Sequence, residues 1–221
     1  MTKHLKNDLA RLEQRLQSLS QKVEFAVKRS IVALRTCNTE VALEVIAGDH
    51  EIDEAEVEIE EECLKLLALH QPVANDLRFT AACLKINNDL ERIGDLAVNI
   101  AERSASLDRV LPFEVPSELG PMSEQTAGML RMALEAFLKG DVELAMSVRR
   151  EDNLVDEANR KIIGMMVEHM KTASDQVDDA LLILSASKNL ERIADHATNI
   201  AEDVIYMVEG EIVRHQASPT P

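Results

Sequence analysis

A segment of thirteen residues occurs twice in this chain, one hundred positions apart. Residues 90–102 read LERIGDLAVNIAE and residues 190–202 read LERIADHATNIAE, so ten of the thirteen positions are identical. An internal repeat of this length indicates that one structural unit is used twice. The 221 residues are therefore expected to fold into two similar halves.

The spacing of apolar residues predicts long helices on both sides of a central break. The break, residues 106–121, contains three prolines and one glycine, which interrupt helical periodicity. Thr39 is expected to cap the second helix. Aromatic residues make up only 2% of the chain and Trp is absent, which is typical of helical cores built from aliphatic residues. The predicted helices span about residues 6–35, 39–69, 73–107, 118–139, 141–171 and 175–209.

These patterns predict an all-α protein made of two tandem three-helix bundles, which is a duplicated helical hairpin plan. The first bundle is expected to cover residues 1–107 and the second residues 118–210. A proline-containing connector, residues 108–117, is expected between them, with the span Pro112–Pro121 in this connecting region. Residues 211–221 are expected to form a flexible tail.

Composition and charge exclude several classes of function. The formal net charge of −16 repels nucleic acid and anionic lipid, because binding to phosphate groups depends on Lys and Arg. Cys37, Cys63 and Cys83 lack CxxC spacing, which favours free thiols in a reducing compartment. Neither an N-terminal apolar signal core nor a run of about 18 apolar residues is present, so a cytoplasmic protein is expected.

The predicted helices carry paired carboxylates four residues apart, a spacing that places both on one side of a helix. The repeated segment supplies one glutamate–aspartate pair in each half. The middle predicted helix of each half supplies an aspartate pair, in DHEID and in DNLVD. The pairs are Glu91 with Asp95, Glu191 with Asp195, Asp49 with Asp53, and Asp152 with Asp156.

A solvated helix face is the simplest alternative explanation of such charged strips. Duplication argues against it, because Glu, Arg, Asp, Asn and Glu return in the same order. Neighbouring positions have meanwhile changed, with Leu96 and Val98 of the first copy replaced by His196 and Thr198 in the second. A function that needs these side chains at fixed positions explains why they are kept in both copies better than solubility does.

If the middle and last helices of each half are adjacent, one aspartate pair and one glutamate–aspartate pair would meet. Four carboxylates in one place repel one another unless they are protonated or bridged by cations. Oxygen-rich ligation suits Mg²⁺, Mn²⁺, Ca²⁺ or iron, and suits Zn²⁺ less well. A divalent or trivalent metal cation is therefore expected at both sites. His50 and His196 adjoin these sites but are not assigned as ligands, because such histidines are more often polar surface residues.

Two other functions are considered, a carboxylate-bridged metal oxidase and a helical scaffold that needs no metal. Ferritin-like oxidases require Glu-x-x-His on two helices, and none of the six histidines follows a glutamate at that spacing. The chain also lacks a P-loop, a GxSxG motif and a Rossmann glycine pattern. We therefore expect a protein that is not an enzyme. Apolar margins on its long helices favour a homodimer.

The segments QPVANDLR, LERIGDLAVNIAE and LERIADHATNIAEDVIYMVEG resemble the PhoU family of phosphate-specific transport system accessory proteins. The resemblance extends over residues 5–210 and implies two three-helix bundles with metal ions on carboxylate-rich surfaces. It carries over to Glu91 with Asp95 and to Glu191 with Asp195. The two aspartate pairs are added only by their expected proximity.

The same resemblance implies a cytoplasmic regulator that contacts the ATPase of a phosphate ABC transporter and a sensor histidine kinase. Such a protein represses phosphate-starvation genes and restrains phosphate uptake when phosphate is sufficient. It reaches the membrane through these partners only.

Overall fold

The computed structural model describes residues 3–107 and 115–213, which form seven α-helices and no strand. A single 3₁₀ turn, Ser174–Gln176, precedes the last helix. The helices are α1 (Lys3–Thr36), α2 (Thr39–Gly48), α3 (His50–His70), α4 (Ala74–Ser106), α5 (Leu119–Lys139), α6 (Val142–Thr172) and α7 (Val177–Glu209).

The helix predicted over residues 39–69 is two helices in the structure. α2 ends at Gly48 and α3 begins at His50, while Asp49 between them keeps helical dihedral angles of φ −59° and ψ −44°. Glycine is a weak helix former, costing about 1 kcal/mol relative to alanine, so the interruption falls where the helix is least stable. The predicted cap was wrong by one residue, because the side chain of Asn38 accepts hydrogen bonds from the backbone N–H groups of Glu40 and Val41.

Each half of the chain forms a three-helix bundle, as predicted. α1, the bent α2–α3 pair and α4 pack together, as do α5, α6 and α7. α4 and α7 also pack extensively against each other and join the two bundles, with a smaller contact between α1 and α5. One hydrophobic core runs through both bundles and consists chiefly of Leu, Ile, Val, Ala and Met, in agreement with the scarcity of aromatic residues.

The contact between α4 and α7 is antiparallel and has approximate two-fold symmetry. Lys85 of α4 pairs with Asp203 of α7, with Nζ 2.9 Å from Oδ1. At the other end, Arg103 of α4 donates to the hydroxyl of Ser185 of α7 at 3.2 Å. Positions 85 and 185 correspond in the repeat, as do 103 and 203, so the second contact joins the equivalent positions, with Ser in place of Lys and Arg in place of Asp.

The central break extends less far than predicted. Pro121 was expected in the connecting region but lies in the first turn of α5, where proline is tolerated because the backbone N–H groups have no partner within the helix. Pro112 lies outside the described residues.

The last helix, α7, ends at Glu209 and is followed by Gly210, whose φ of 79° favours glycine. Only residues 211–213 of the predicted tail are described.

Candidate functional site

The first carboxylate cluster, which we define as Asp49, Asp53, Glu56, Glu91 and Asp95, lies where α3 packs against α4. Burial raises the pKa of Asp49, and the negative charges of Asp53 and Asp95 raise it further. Burial likewise raises the pKa of Glu91, with the charge of Asp95 adding to the effect and that of Arg92 opposing it. The carboxylates of the two helices therefore lie within electrostatic range of one another.

Gly94 allows α3 to approach α4 closely beside this cluster. A Cβ atom at Gly94 would lie 3.2 Å from Cγ2 of Ile52 and 3.9 Å from Oδ1 of Asp49. Oδ1 of Asp49 is itself buried and accepts no hydrogen bond from the described residues. A buried acceptor without a partner is unfavourable, so this oxygen is suited to receive a cation or a proton.

The second carboxylate cluster, defined as Asp152, Asp156, Glu191, Asp195 and Glu202, lies at the corresponding contact of α6 with α7. Burial raises the pKa of Asp195 to about 6, and the charges of Glu191, Asp152 and Asp156 contribute. Burial and the charge of Asp156 also raise the pKa of Asp152, whose Oδ1 lies 3.4 Å from the hydroxyl of Thr198.

The eight residues singled out from the sequence fall into these two clusters, four in each. Every aspartate pair lies beside the glutamate–aspartate pair of its own half, which is the adjacency that the sequence pattern required. In the described part of the chain, no three Asp, Glu, His or Cys side chains are arranged as a ready set of metal ligands. Carboxylates of like charge repel one another, which favours side-chain positions that are apart. The side chains would have to rotate to bind one ion together.

The sequence did not predict a groove that lies between the two halves and has both charged and apolar walls. It has a volume of about 860 Å³, and its lining includes Glu60, Lys85, Asp89, Asp195 and Glu202. Asp89 is buried on the α4 side, and its Oδ1 lies 2.7 Å from Nδ1 of His196 on α7. The sequence gives one indication of this contact, because the two copies of the repeat differ at both positions. Asn189 replaces Asp89 and His196 replaces Leu96 in the second copy.

None of the described helices combines the length and hydropathy needed to cross a membrane.

The family model described as "PhoU domain" matches residues 16–104 and again residues 119–204. A PhoU homolog of the phosphate-specific transport system in Aquifex aeolicus is 37% identical over 209 residues, which covers 95% of each chain. PhoU homolog 1 of Thermotoga maritima is 34% identical over 209 residues, covering 94% of this chain and 90% of that protein.

Solved structures with the same fold include the PhoU crystal structure from Pseudomonas aeruginosa. It superimposes with a TM-score of 0.89 at 35% identity and covers 93% of this chain and 99% of its own. The phosphate transport system regulatory protein PhoU from Streptococcus pneumoniae gives a TM-score of 0.87 at 31% identity, covering 95% and 99%. With both repeats matched by the family model and nearly the whole chain matched by relatives, the chain belongs to the PhoU family.

Proposed function

We propose that this protein is a metal-binding regulator that restrains phosphate uptake and represses phosphate-starvation signalling. One observation carries the proposal: a PhoU-family chain repeats the same four carboxylates, an aspartate pair beside a glutamate–aspartate pair, in each of its two bundles. The relatives are named accessory proteins of the phosphate-specific transport system, which supports the phosphate context.

The composition of the clusters supports binding of a hard divalent or trivalent cation. All of the donors are carboxylate oxygens, which suit iron, Mn²⁺, Mg²⁺ or Ca²⁺, and Zn²⁺ less well. The buried, unpartnered Oδ1 of Asp49 fits the same role. A bound cation would relieve the repulsion that raises the carboxyl pKa values and would hold the middle helix of each bundle against the last. The ligands would come from Asp49, Asp53, Glu91 and Asp95 in one bundle and from Asp152, Asp156, Glu191 and Asp195 in the other.

The proposed role is binding rather than catalysis. The relatives are named accessory proteins, which supports this role, as does the lack of a Glu-x-x-His motif in the sequence. A carboxylate-bridged metal oxidase would consume O₂ or peroxide in a metal-dependent reaction. A metal-independent scaffold would bind its partners equally well after treatment with a chelator.

The proposed partners are the ATPase of a phosphate ABC transporter and a sensor histidine kinase. A chain with a net charge of −16 can attract basic patches on such partners, and these contacts would weaken as salt screens the charges. The protein would work in the cytoplasm and would reach the membrane only through these partners.

Self-association into a homodimer is part of the same proposal. Large apolar side chains are exposed on the middle helices of both bundles, and their burial would favour association. Sedimentation velocity at several protein concentrations should show a dimer, whereas a monomer at every concentration would contradict this part. The exposed residues are Leu43, Val57, Leu64 and Leu69 in the first bundle and Leu154, Ile163, Met165 and Val167 in the second.

Metal analysis tests the chemical part of the proposal. The double variant Asp95→Asn and Asp195→Asn removes one carboxylate charge from each cluster and should lower the bound metal while retaining helicity. The matched control is Glu61→Gln with Glu157→Gln, which neutralises two exposed carboxylates on α3 and α6 outside the clusters. Unchanged metal stoichiometry in the cluster variant would remove these residues from the proposed site.

Deletion of the gene tests the regulatory part. Loss of the protein should derepress phosphate-starvation genes in phosphate-rich medium, and expression of the wild-type chain should restore repression. If those genes still respond to phosphate in a deletion strain without a second copy, the proposed function is wrong.

A further inference from the structure

A lysine of the second repeat pairs with a carboxylate of the second cluster, and the equivalent residue of the first repeat is uncharged. Nζ of Lys188 lies 2.6 Å from Oε1 and 2.5 Å from Oε2 of Glu191, and it donates a hydrogen bond to Oε1. The charge of Lys188 also lowers the pKa of Asp195, against the other contributions there. The corresponding residue in the first repeat is Asn88, which carries no charge.

A second difference concerns the last carboxylate of the repeated segment. Nε of Arg149 lies 3.3 Å from Oε1 of Glu202, and both side chains are largely buried. The middle helices correspond at an offset of 103 residues, as Asp49 and Asp152 show, so the equivalent of Arg149 in the first repeat is the uncharged Ile46. Glu102, the equivalent of Glu202, is instead half-exposed, with its neighbour Arg103 at 3.7 Å.

The middle helices also differ in their number of acids. At the same offset, Glu56 and Glu60 of the first repeat correspond to Asn159 and Ile163 of the second. The carboxylate of Glu56 is close enough to Glu91 for its charge to raise the Glu91 pKa, whereas the amide oxygen of Asn159 accepts a hydrogen bond from Ser187. These two positions therefore carry carboxylates on α3 and none on α6, and the first repeat has no charged counterpart of Lys188 or Arg149.

Arg92 of the first repeat also lies near carboxylates of the first cluster, but at longer distances than that of Lys188 from Glu191. Its side chain is more than half exposed and lies 3.4 Å from Glu91 and 3.8 Å from Asp95. Arg192 occupies the equivalent position in the second repeat. Both Arg92 distances exceed the 2.5–2.6 Å between Lys188 and Glu191, so the closest contact between a cation and a proposed metal ligand lies in the second cluster.

We propose that the two clusters bind cations unequally, with the first cluster filling first and the second filling only when Lys188 is displaced from Glu191. This inference rests on the proposed function, which assigns cation binding to both clusters. An ammonium group and a divalent ion repel each other when they share one carboxylate. At a separation of about 6 Å in a water-like dielectric, this repulsion corresponds to about tenfold in affinity.

Titration of Mn²⁺ into chelator-treated protein, followed by calorimetry, tests the proposal. The wild-type chain should show two classes of site that differ about tenfold in affinity. Asp95→Asn should remove the tighter class and Asp195→Asn the weaker class. Lys188→Asn, which installs the residue of the first repeat, should tighten the weaker class about tenfold and leave the tighter class unchanged.

A reciprocal variant and a matched control complete the experiment. Asn88→Lys should weaken the tighter class, which keeps the proposal testable if Lys188→Asn does not fold. Lys161→Asn removes an exposed ammonium group that pairs with Glu157 on α6, and it should change neither class.

The possible failures are distinguishable. Absence of Mn²⁺ binding at both clusters of the wild-type chain would overturn the proposed function itself. If the two clusters bind Mn²⁺ with equal affinity, or if Asp195→Asn removes the tighter class of sites, only the proposed order of affinity is overturned. A folded Lys188→Asn variant whose weaker sites keep their affinity would also overturn it. The same holds for an Asn88→Lys variant whose tighter sites keep their affinity.

Discussion

Replacing Asp195 with Asn is expected to stabilise the metal-free protein at neutral pH. The pKa of Asp195 is raised from 3.8 to about 6, first by burial and then by the charges of Glu191, Asp152 and Asp156. Between pH 3.8 and about pH 6, the carboxyl group of Asp195 binds a proton more tightly in the folded chain than in the unfolded chain. Stability is therefore lost as pH rises from about 4 to about 6, and the loss persists at higher pH.

The size of the effect follows from this shift and from the position of the side chain. A shift of about two pKa units corresponds to at most about 3 kcal/mol in the free energy of unfolding. Asp195 is only partly buried and more than a third of it remains exposed, so solvent screens much of the unfavourable interaction and the expected gain is about 1 kcal/mol. Asn has nearly the same shape as Asp, so the packing of α7 should not change.

Urea denaturation followed by circular dichroism, in the presence of a chelator, measures this difference. Wild type and Asp195→Asn should have similar stability at about pH 3.5 and should differ by about 1 kcal/mol at about pH 7.5. Glu157→Gln is the control, because the hydrogen bond from Lys161 lowers the pKa of Glu157 and the control should lose a little stability at neutral pH. A less stable Asp195→Asn protein at neutral pH, or a difference that does not depend on pH, would refute the reasoning.

Two further predictions concern packing. Gly94→Ala brings a Cβ atom within 3.2 Å of Ile52, and we expect a net loss of about 1 kcal/mol after the gain in helix propensity is included. Adding Ile52→Val removes Cδ1, the atom 3.4 Å from the new Cβ, but keeps Cγ2, so it should recover part of that loss. Ala194 and Val155 stand at the equivalent positions of the second repeat, and strictly additive unfolding free energies would contradict the coupling. Lys85→Met leaves the buried carboxylate of Asp203 without its ammonium partner and should cost about 2 kcal/mol, so an unchanged urea midpoint would contradict the role of this pair.

The helices and their duplication could be predicted because apolar spacing and the thirteen-residue repeat are local signals. The interruption at Gly48 was missed because Asp49 keeps helical dihedral angles, so apolar periodicity continues across it. Pro121 was misplaced because proline in a first helical turn has the same sequence appearance as proline in a loop.

The carboxylate pairs were predictable for the same reason, since a spacing of four residues places both members on one helix face. The sequence did not reveal the contact between Asp89 and His196, because it depends on the antiparallel packing of α4 with α7. The pairing of Arg149 with Glu202 likewise depends on how α6 meets α7. Long-range packing, rather than local preference, decides these contacts.

Anomalous diffraction from crystals soaked in Mn²⁺ tests most directly whether the two clusters bind cations. We expect anomalous peaks within about 2.0–2.6 Å of carboxylate oxygens at Glu91 or Asp95 and at Glu191 or Asp195, with higher occupancy in the first cluster. Anomalous peaks found only at carboxylates outside both clusters, in fully soaked crystals, would contradict the assignment.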